Sequence, residues 1–297
     1  ALRLCCKGYR VTVLERLEGP GGRAFVYKQD GFTYDAGPTI ITAPFLFEEL
    51  WALCGKRFSD DVDLRPMWPF YRIRFDDGSH FDYFGETEAM RREITRLAGA
   101  SEVAGYDAFM REAMVCLKLG YEELGTTSFV SLVDLIAAMP SMVRMQAWNT
   151  IYSMAQRHFK NDKLRQVFSF HPLLIGGNPF AVTQVYSLIP ALEREYGVHS
   201  AMGGTGAIVQ ALARLLEDQG AAIRYQAEVS RILLEGRRAV GVELADGEQI
   251  RADIVVSNAD AANTYRKLLP NAARRVWTDA KVERAAYSMG LFVWYFG

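Results

Sequence analysis

Val11–Thr39 reads VTVLERLEGPGGRAFVYKQDGFTYDAGPT. Val11, Thr12, Val13 and Leu14 make a short β-branched, apolar run, the pattern of a strand buried on both faces. The run ends in an acid, Glu15. In a dinucleotide-binding βαβ unit, an acid at the end of the second strand accepts hydrogen bonds from the adenosine ribose hydroxyls. Gly21-Gly22-Arg23 follows. Adjacent glycines let the backbone approach a pyrophosphate closely, and a guanidinium pairs with its charge. A strand-like run, Phe32-Thr33-Tyr34, then leads into a second glycine turn, Asp35-Ala36-Gly37-Pro38-Thr39. The ordered combination predicts a bound dinucleotide.

Working outward, Ala1–Cys6 reads as the back half of a helix, with Gly8 as its C-cap before the Val11 strand. A βαβ unit needs a first strand and a glycine-rich turn ahead of that helix. At the other end, Leu291–Gly297 (LFVWYFG) reads as a strand without sheet partners. The expectation is a fragment, cut inside an element at each terminus.

The segments LERLEGPGGRAFVYKQDGFTYDAGPT, PFYRIRF, FSFHPLLIGGNPFA, ALEREYGV, GGTGAIVQAL and VVSNAD together resemble the bacterial phytoene desaturase family, within the larger group of FAD-dependent, amine oxidase-like flavoenzymes. The resemblance runs from end to end. It implies an α/β fold, with an incomplete Rossmann-like FAD-binding domain and an inserted α+β substrate domain. The FAD-binding domain would span residues 1–67 and 200–265. The substrate or membrane-associated domain would span 68–199, and 266–297 would return into it. Glu15, Gly21, Gly22, Arg23, Gly37, Pro38 and Thr39 would hold FAD, and Val229 would meet the adenine through its backbone. The implied reaction desaturates phytoene to more conjugated carotenes, such as neurosporene or lycopene, by hydride transfer to flavin. The implied partners are an apolar carotenoid, a membrane surface, and a quinone or oxygen as electron acceptor.

A chain of 297 residues buries a sizeable core in one large domain or two. Its net charge of −1 gives no bulk attraction for nucleic acid. Cys5, Cys6, Cys54 and Cys116 show no CxxC spacing, and His80, His158, His171 and His199 are scattered. No metal site is expected; buried reduced thiols suit a reducing cytoplasm, with the protein peripheral to the membrane.

Phe45–Cys54 places apolar residues at helical spacing with Glu48 and Glu49 outward. Phe70–Phe75 and His80–Phe84 alternate with period two across Asp76-Asp77-Gly78, a hairpin signal. Arg72 and Arg74 share one face of it, turned to solvent. Residues 86–98 and 103–124 carry amphipathic helix patterns. Between Thr126 and Asn149 only Asp134 and Arg144 are charged, and Pro140 is expected to divide the stretch into two helices. Neither half approaches the roughly 20 apolar residues of a spanning helix. Two readings stay open: an interfacial surface that dips into a bilayer, or a helix pair packed in the core. Gln166–Leu192 has no formally charged residue and is broken by prolines and by Gly176-Gly177, as suits the wall of an apolar pocket. His171 within it reads first as a satisfied structural histidine.

Gly203-Gly204-Thr205-Gly206 opens a helix to Asp218, and no strand directly precedes it, which argues against phosphate binding there. Strands follow at 222–225 and 228–232, then a hairpin pairing 231–234 with 239–244. Asp253–Val256 reads as a buried parallel strand whose end, Ser257–Asp260, lies where such sheets place ligands. Desaturation of a hydrocarbon leaves the hard chemistry to the cofactor, in keeping with a sequence without an evident catalytic triad. If a side chain takes the proton, Asp134 is the candidate, since burial would raise its pKa. Rival classes are an amine or porphyrinogen oxidase of the same fold, and a non-enzymatic, isoprenoid-binding escort-like protein.

Overall fold

The computed structural model describes residues 1–274, 276–290 and 292–296. Helix α1 (Leu2–Cys5) turns at Gly8, whose φ of 85° a glycine tolerates without strain, and leads into β1 (Thr12–Leu14). Strands β2 (Val26–Gln29) and β3 (Phe32–Asp35) form a hairpin closed by Asp30 and Gly31, with φ of 52° and 83°. That is the primed two-residue turn that matches strand twist. Helix α2 (Pro44–Ala52) follows, with Glu48 and Glu49 exposed as expected.

The chain then crosses to a second region through β4 (Leu64–Pro66). There, β5 (Tyr71–Arg74) and β6 (His80–Tyr83) form the expected hairpin, and Arg72 forks onto Asp82 across it at 2.6 and 2.8 Å. Helices α3 (Thr87–Ala98) and α4 (Val103–Cys116) come next, α4 continuing as wider π-helical turns to Glu123. Helices α5 (Leu132–Arg144), α6 (Ile151–His158), α7 (Asp162–Val167) and α8 (Leu188–Tyr196) complete it. Strand β7 (His199–Ala201) carries the chain back, antiparallel to β4. Helix α9 (Thr205–Asp218), β8 (Ala222–Arg224) and the antiparallel strands β9 (Val229–Glu235), β10 (Arg238–Leu244) and β11 (Gln249–Arg251) then follow.

Two buried clusters organise these elements. One gathers Leu2, Trp51, Phe58, Ile208, Leu215 and their neighbours around α1, α2 and α9. Beside it β1 pairs with β8 in parallel, Val13 opposite Ile223. The other is centred on aromatic rings: Phe168 lies 4.7 to 6.0 Å, centroid to centroid, from Phe159, Phe109, Tyr106 and Tyr83.

Five expectations need correction. Strand β1 is half-buried, with Thr12 exposed, because β8 is its one ladder partner among the described residues. Asp253–Val256 is not a strand: Ile254 and Val256 are exposed, and with no ladder partner among the described residues the backbone stays irregular. Pro140 does not divide 126–149, because α5 runs through it. The N–H that proline removes would have met the Ile136 carbonyl one turn back, and Ile136 is exposed to water that can take its place. The predicted strand over 291–297 is likewise absent from Phe292–Phe296, which are mostly exposed, while Leu291 and Gly297 lie outside the described residues. Finally, of the four thiols only Cys116 is buried; Cys6 is exposed.

The ring cluster sets a stability contrast. Phe168→Ala removes a fully buried side chain and should cost about 3–5 kcal/mol, whereas Leu132→Ala, at a position 71% exposed, should stay within about 0.5 kcal/mol. Thermal or urea unfolding of the two variants checks this; equal losses would mean that the helical core is assigned wrongly.

Candidate functional site

The two glycine turns singled out in the sequence lie against each other. Gly21 and Gly22 have φ of 134° and 54°, so the Gly22–Ala24 segment coils into a single tight 3-10 turn. Gly37 abuts that turn: a β-carbon on Gly37 would run into the Arg23 carbonyl oxygen. The Ala36 N–H donates to the Phe25 carbonyl at 2.9 Å, holding the second turn under the first. The Arg23 side chain is 93% exposed and sits 3.7 Å from the Asp260 carboxylate. This brings the Ser257–Asp260 segment, expected to face a ligand, to the glycine turns even though no strand precedes it.

Glu15 ends β1, where its N–H donates to the Arg224 carbonyl. One carboxylate oxygen accepts from the Leu17 N–H at 2.9 Å. Gln226 and Ala227 donate backbone N–H groups to the Leu17 and Glu15 carbonyls. That connection leads into Val229, the first residue of β9. Pro38 and Thr39 are exposed on the turn after β3.

A residue without a role in the sequence reading joins these parts. The Asp35 carboxylate accepts from the Thr205 N–H at 3.2 Å and the Gly206 N–H at 3.3 Å, at the start of α9. These are donors that a helix leaves without internal partners, and the positive end of its dipole favours an anion there. The N-terminus of α9 therefore carries the chain's own carboxylate in the place a phosphate would take, in line with the sequence-based argument against phosphate at 203–206. Gly204 packs on the Asp35 carboxylate and Gly206 on Val26 with no room for a β-carbon. The Thr205 hydroxyl donates to the Pro38 carbonyl, and the Tyr295 hydroxyl donates to the Asp35 carbonyl at 2.9 Å. An acid before a glycine turn was the only available signal, and its partner lies 170 residues away.

Asp134 lies elsewhere and does something else. Its carboxylate accepts from the Ser131 N–H at 2.9 Å and the Ser131 hydroxyl at 2.7 Å, and its own N–H donates back at 3.2 Å. This is a capping box at the start of α5. The Ser131 hydroxyl, then its backbone N–H, hold the carboxyl below its ordinary value, the opposite of what a general base needs. Asp134 is therefore corrected from candidate base to helix cap. A carboxyl with a depressed folded pKa contributes stability above its unfolded pKa and loses it as pH falls through the folded one.

His171 is fully buried, but the expectation of a satisfied histidine is met at one ring nitrogen only, because Nδ1 has no hydrogen-bond partner among the described residues. Its Nε2 stands 3.0 Å from the Tyr71 hydroxyl, which donates to Glu193 at 2.9 Å. Burial, reinforced by Tyr83 and Glu193, pushes the Tyr71 hydroxyl well above its ordinary pKa. Glu193 had no role in the sequence reading, because the charged run Glu193-Arg194-Glu195 looks like a solvated helix end. The surrounding Gln166–Leu192 segment is mixed: Val167–Ser169 are buried, while Leu173, Leu174, Ile175 and Phe180 are exposed. The exposed apolar side chains continue on α5, where Leu132, Val133 and Ile136 face outward and Ala138 is the one buried residue. The packed-pair reading of 126–149 is thereby overturned. Thr183 and Gln184 lace the segment to the end of α5 by hydrogen bonds to the Ala147 and Met145 carbonyls. Among the described residues no helix is long and apolar enough to cross a membrane, and no metal-binding cluster occurs.

The family described as flavin containing amine oxidoreductase matches residues 1–290. The chain belongs to that family. Membership in this flavin containing amine oxidoreductase family identifies FAD as the cofactor, and the donor set fits it: an acid at a strand end, tight glycine turns and an exposed guanidinium. Among similar proteins, the phytoene desaturase (neurosporene-forming) of Cereibacter sphaeroides is 49% identical over 297 residues, covering 100% of this chain and 57% of that protein. The phytoene desaturase (lycopene-forming) of Pantoea ananas is 42% identical over 297 residues, with 100% and 60% covered. The chain thus spans less than two thirds of the length of these relatives. A crystal structure of a Pyrococcus furiosus protein superposes with a TM-score of 0.64 at 16% identity, covering 96% of this chain and 62% of that one; it shows the shared fold.

If Asp134 is a cap, Asp134→Asn in the whole protein leaves turnover unchanged while hydrogen exchange at the first turn of α5 speeds up. A loss of turnover with unchanged exchange would restore Asp134 as a base.

Proposed function

We propose that the protein is an FAD-dependent phytoene desaturase, an oxidoreductase that converts phytoene to more conjugated carotenes such as neurosporene or lycopene. The observation that carries this reading is the 49% identity, across the entire chain, to a phytoene desaturase. In this reading Glu15, Gly21, Gly22, Arg23, Gly37, Pro38, Thr39 and Val229 hold FAD, which when bound supplies a hydride acceptor. Glu15 takes the ribose, the glycine turns admit the pyrophosphate backbone-close, and Arg23 balances its charge. Residues 68–199 form the substrate side, and residues 1–67 and 200–265 the cofactor side.

Phytoene offers no carbonyl to polarise and no leaving group to protonate. The work left to side chains is to orient a long hydrocarbon and keep water away from it. The exposed apolar faces of α5, Leu173–Ile175 and Phe180 support docking on a membrane surface, from which a lipid-soluble substrate enters without crossing water. A membrane quinone or oxygen then takes the electrons. Anaerobic turnover with and without added quinone separates those acceptors.

The test is to supply the whole protein with FAD on liposomes loaded with phytoene and to follow visible absorption. New coloured bands, whose position reports the conjugation reached, are expected. Bound flavin with phytoene recovered unchanged, or turnover of an amine instead, would overturn the reading in favour of another oxidase of this fold.

A further inference from the structure

Two of the four cysteines lie together in the fold. Cys6 follows α1 and Cys54 lies just past α2; their Sγ atoms are 3.9 Å apart, 48 residues apart in sequence. The Cys6 thiol is also 3.8 Å from the Leu53 carbonyl oxygen. Packing imposes this approach. Leu2 of α1 and Trp51 of α2 are buried in one cluster, and Cys5 and Cys54 pack against it. Arg3 forks onto Glu49 at 2.7 and 3.0 Å, fixing the two helices at a second point. A disulfide needs a sulfur separation of about 2.05 Å, so closure asks for a shift of roughly 2 Å, within reach of side-chain rotation.

We propose that Cys6 and Cys54 are a redox-active dithiol, which small-molecule disulfides such as oxidised glutathione convert to an intrachain disulfide joining α1 to α2. Cys6 is exposed and reacts first. Its thiolate attacks one sulfur of the small disulfide, giving a mixed disulfide on Cys6 and releasing one small thiolate, which takes up the proton Cys6 gave away. The Cys54 thiolate then attacks Cys6 Sγ, forming the intrachain bond and expelling the second small thiolate, which takes the Cys54 proton. Two protein thiols are oxidised and one small disulfide is reduced to two thiols, so atoms and electrons balance. Burial, with the Cys6 hydrogen bond second, pushes the Cys54 thiol up to about 11. The closing step therefore quickens as pH rises toward that value, because the thiolate is the nucleophile. Oxidation would hold together the helices that flank β1 and the turn into Glu15, on the cofactor side of the molecule.

The experiment exposes the whole FAD-loaded protein to oxidised glutathione, blocks free thiols, digests with trypsin and reads the peptides by mass spectrometry. Leu4–Lys7 joined to Gln29–Lys56, lighter than the two peptides by two hydrogens and separated again by dithiothreitol, is expected. It should form in the wild type and in Cys5→Ser, and be absent in Cys6→Ser and Cys54→Ser. Decay of the glutathione adduct on Cys6 should speed up about tenfold per pH unit below the Cys54 pKa. Bound flavin reports that each variant is folded. A glutathione adduct on Cys6 that never resolves, a cross-link that survives Cys6→Ser by way of Cys5, or no reaction at all would each overturn the proposal.

Discussion

Asp35 sits where three distant parts of the chain meet. Its carboxylate receives the first free N–H groups of α9, its carbonyl receives the Tyr295 hydroxyl, and its backbone leads into the Gly37 turn that lies under Gly21–Arg23. Among the described residues the parallel pairing on this side joins two three-residue strands, β1 and β8. Three ladder positions cannot by themselves fix two glycine turns relative to a helix that enters 170 residues later. A buried or half-buried carboxylate on a helix N-terminus can, because charge-assisted hydrogen bonds and the helix dipole act together over one turn. The glycines at 204 and 206 follow from this: any β-carbon there would collide with Asp35 or Val26.

The same arrangement separates two kinds of helix N-terminus. That of α9 is closed by an internal anion, the Asp35 carboxylate. That of α5 is closed locally, by Ser131 and Asp134. Helix propensity and one cap rarely hold so short a helix in water alone. An apolar face left exposed over much of its length suits a surface that works against something apolar.

What could be read in the sequence was local. Alternation and an Asp-Gly turn located the β5–β6 hairpin, and the strand, acid and double glycine located β1 and the two glycine turns that lie against each other. A second Asp-Gly turn, Asp30-Gly31, went unread because Val26–Gln29 carries Lys28 and Gln29, without an apolar alternation to mark a strand. Ile254 and Val256 look like a buried strand, yet a strand exists only beside a neighbour, and local pattern cannot report whether one is there. Pro140 looks like a break, yet on a solvent-facing helix water can take the carbonyl that the proline leaves without a donor. Asp35, Glu193 and the Cys6–Cys54 contact were illegible for one reason: each takes its role from a partner brought near only by the fold.

The measurement that bears most directly on this account is FAD affinity of the whole protein with Asp35→Asn and Asp35→Ala, read alongside thermal stability. Asparagine keeps an oxygen for one α9 N–H but loses the charge, and alanine loses both. If the carboxylate organises the cofactor side, FAD binding weakens about tenfold or more in Asp35→Ala, with Asp35→Asn between it and the wild type. Wild-type FAD affinity in a folded Asp35→Ala protein would contradict the account and leave the glycine turns positioned by something other than the helix they lean on.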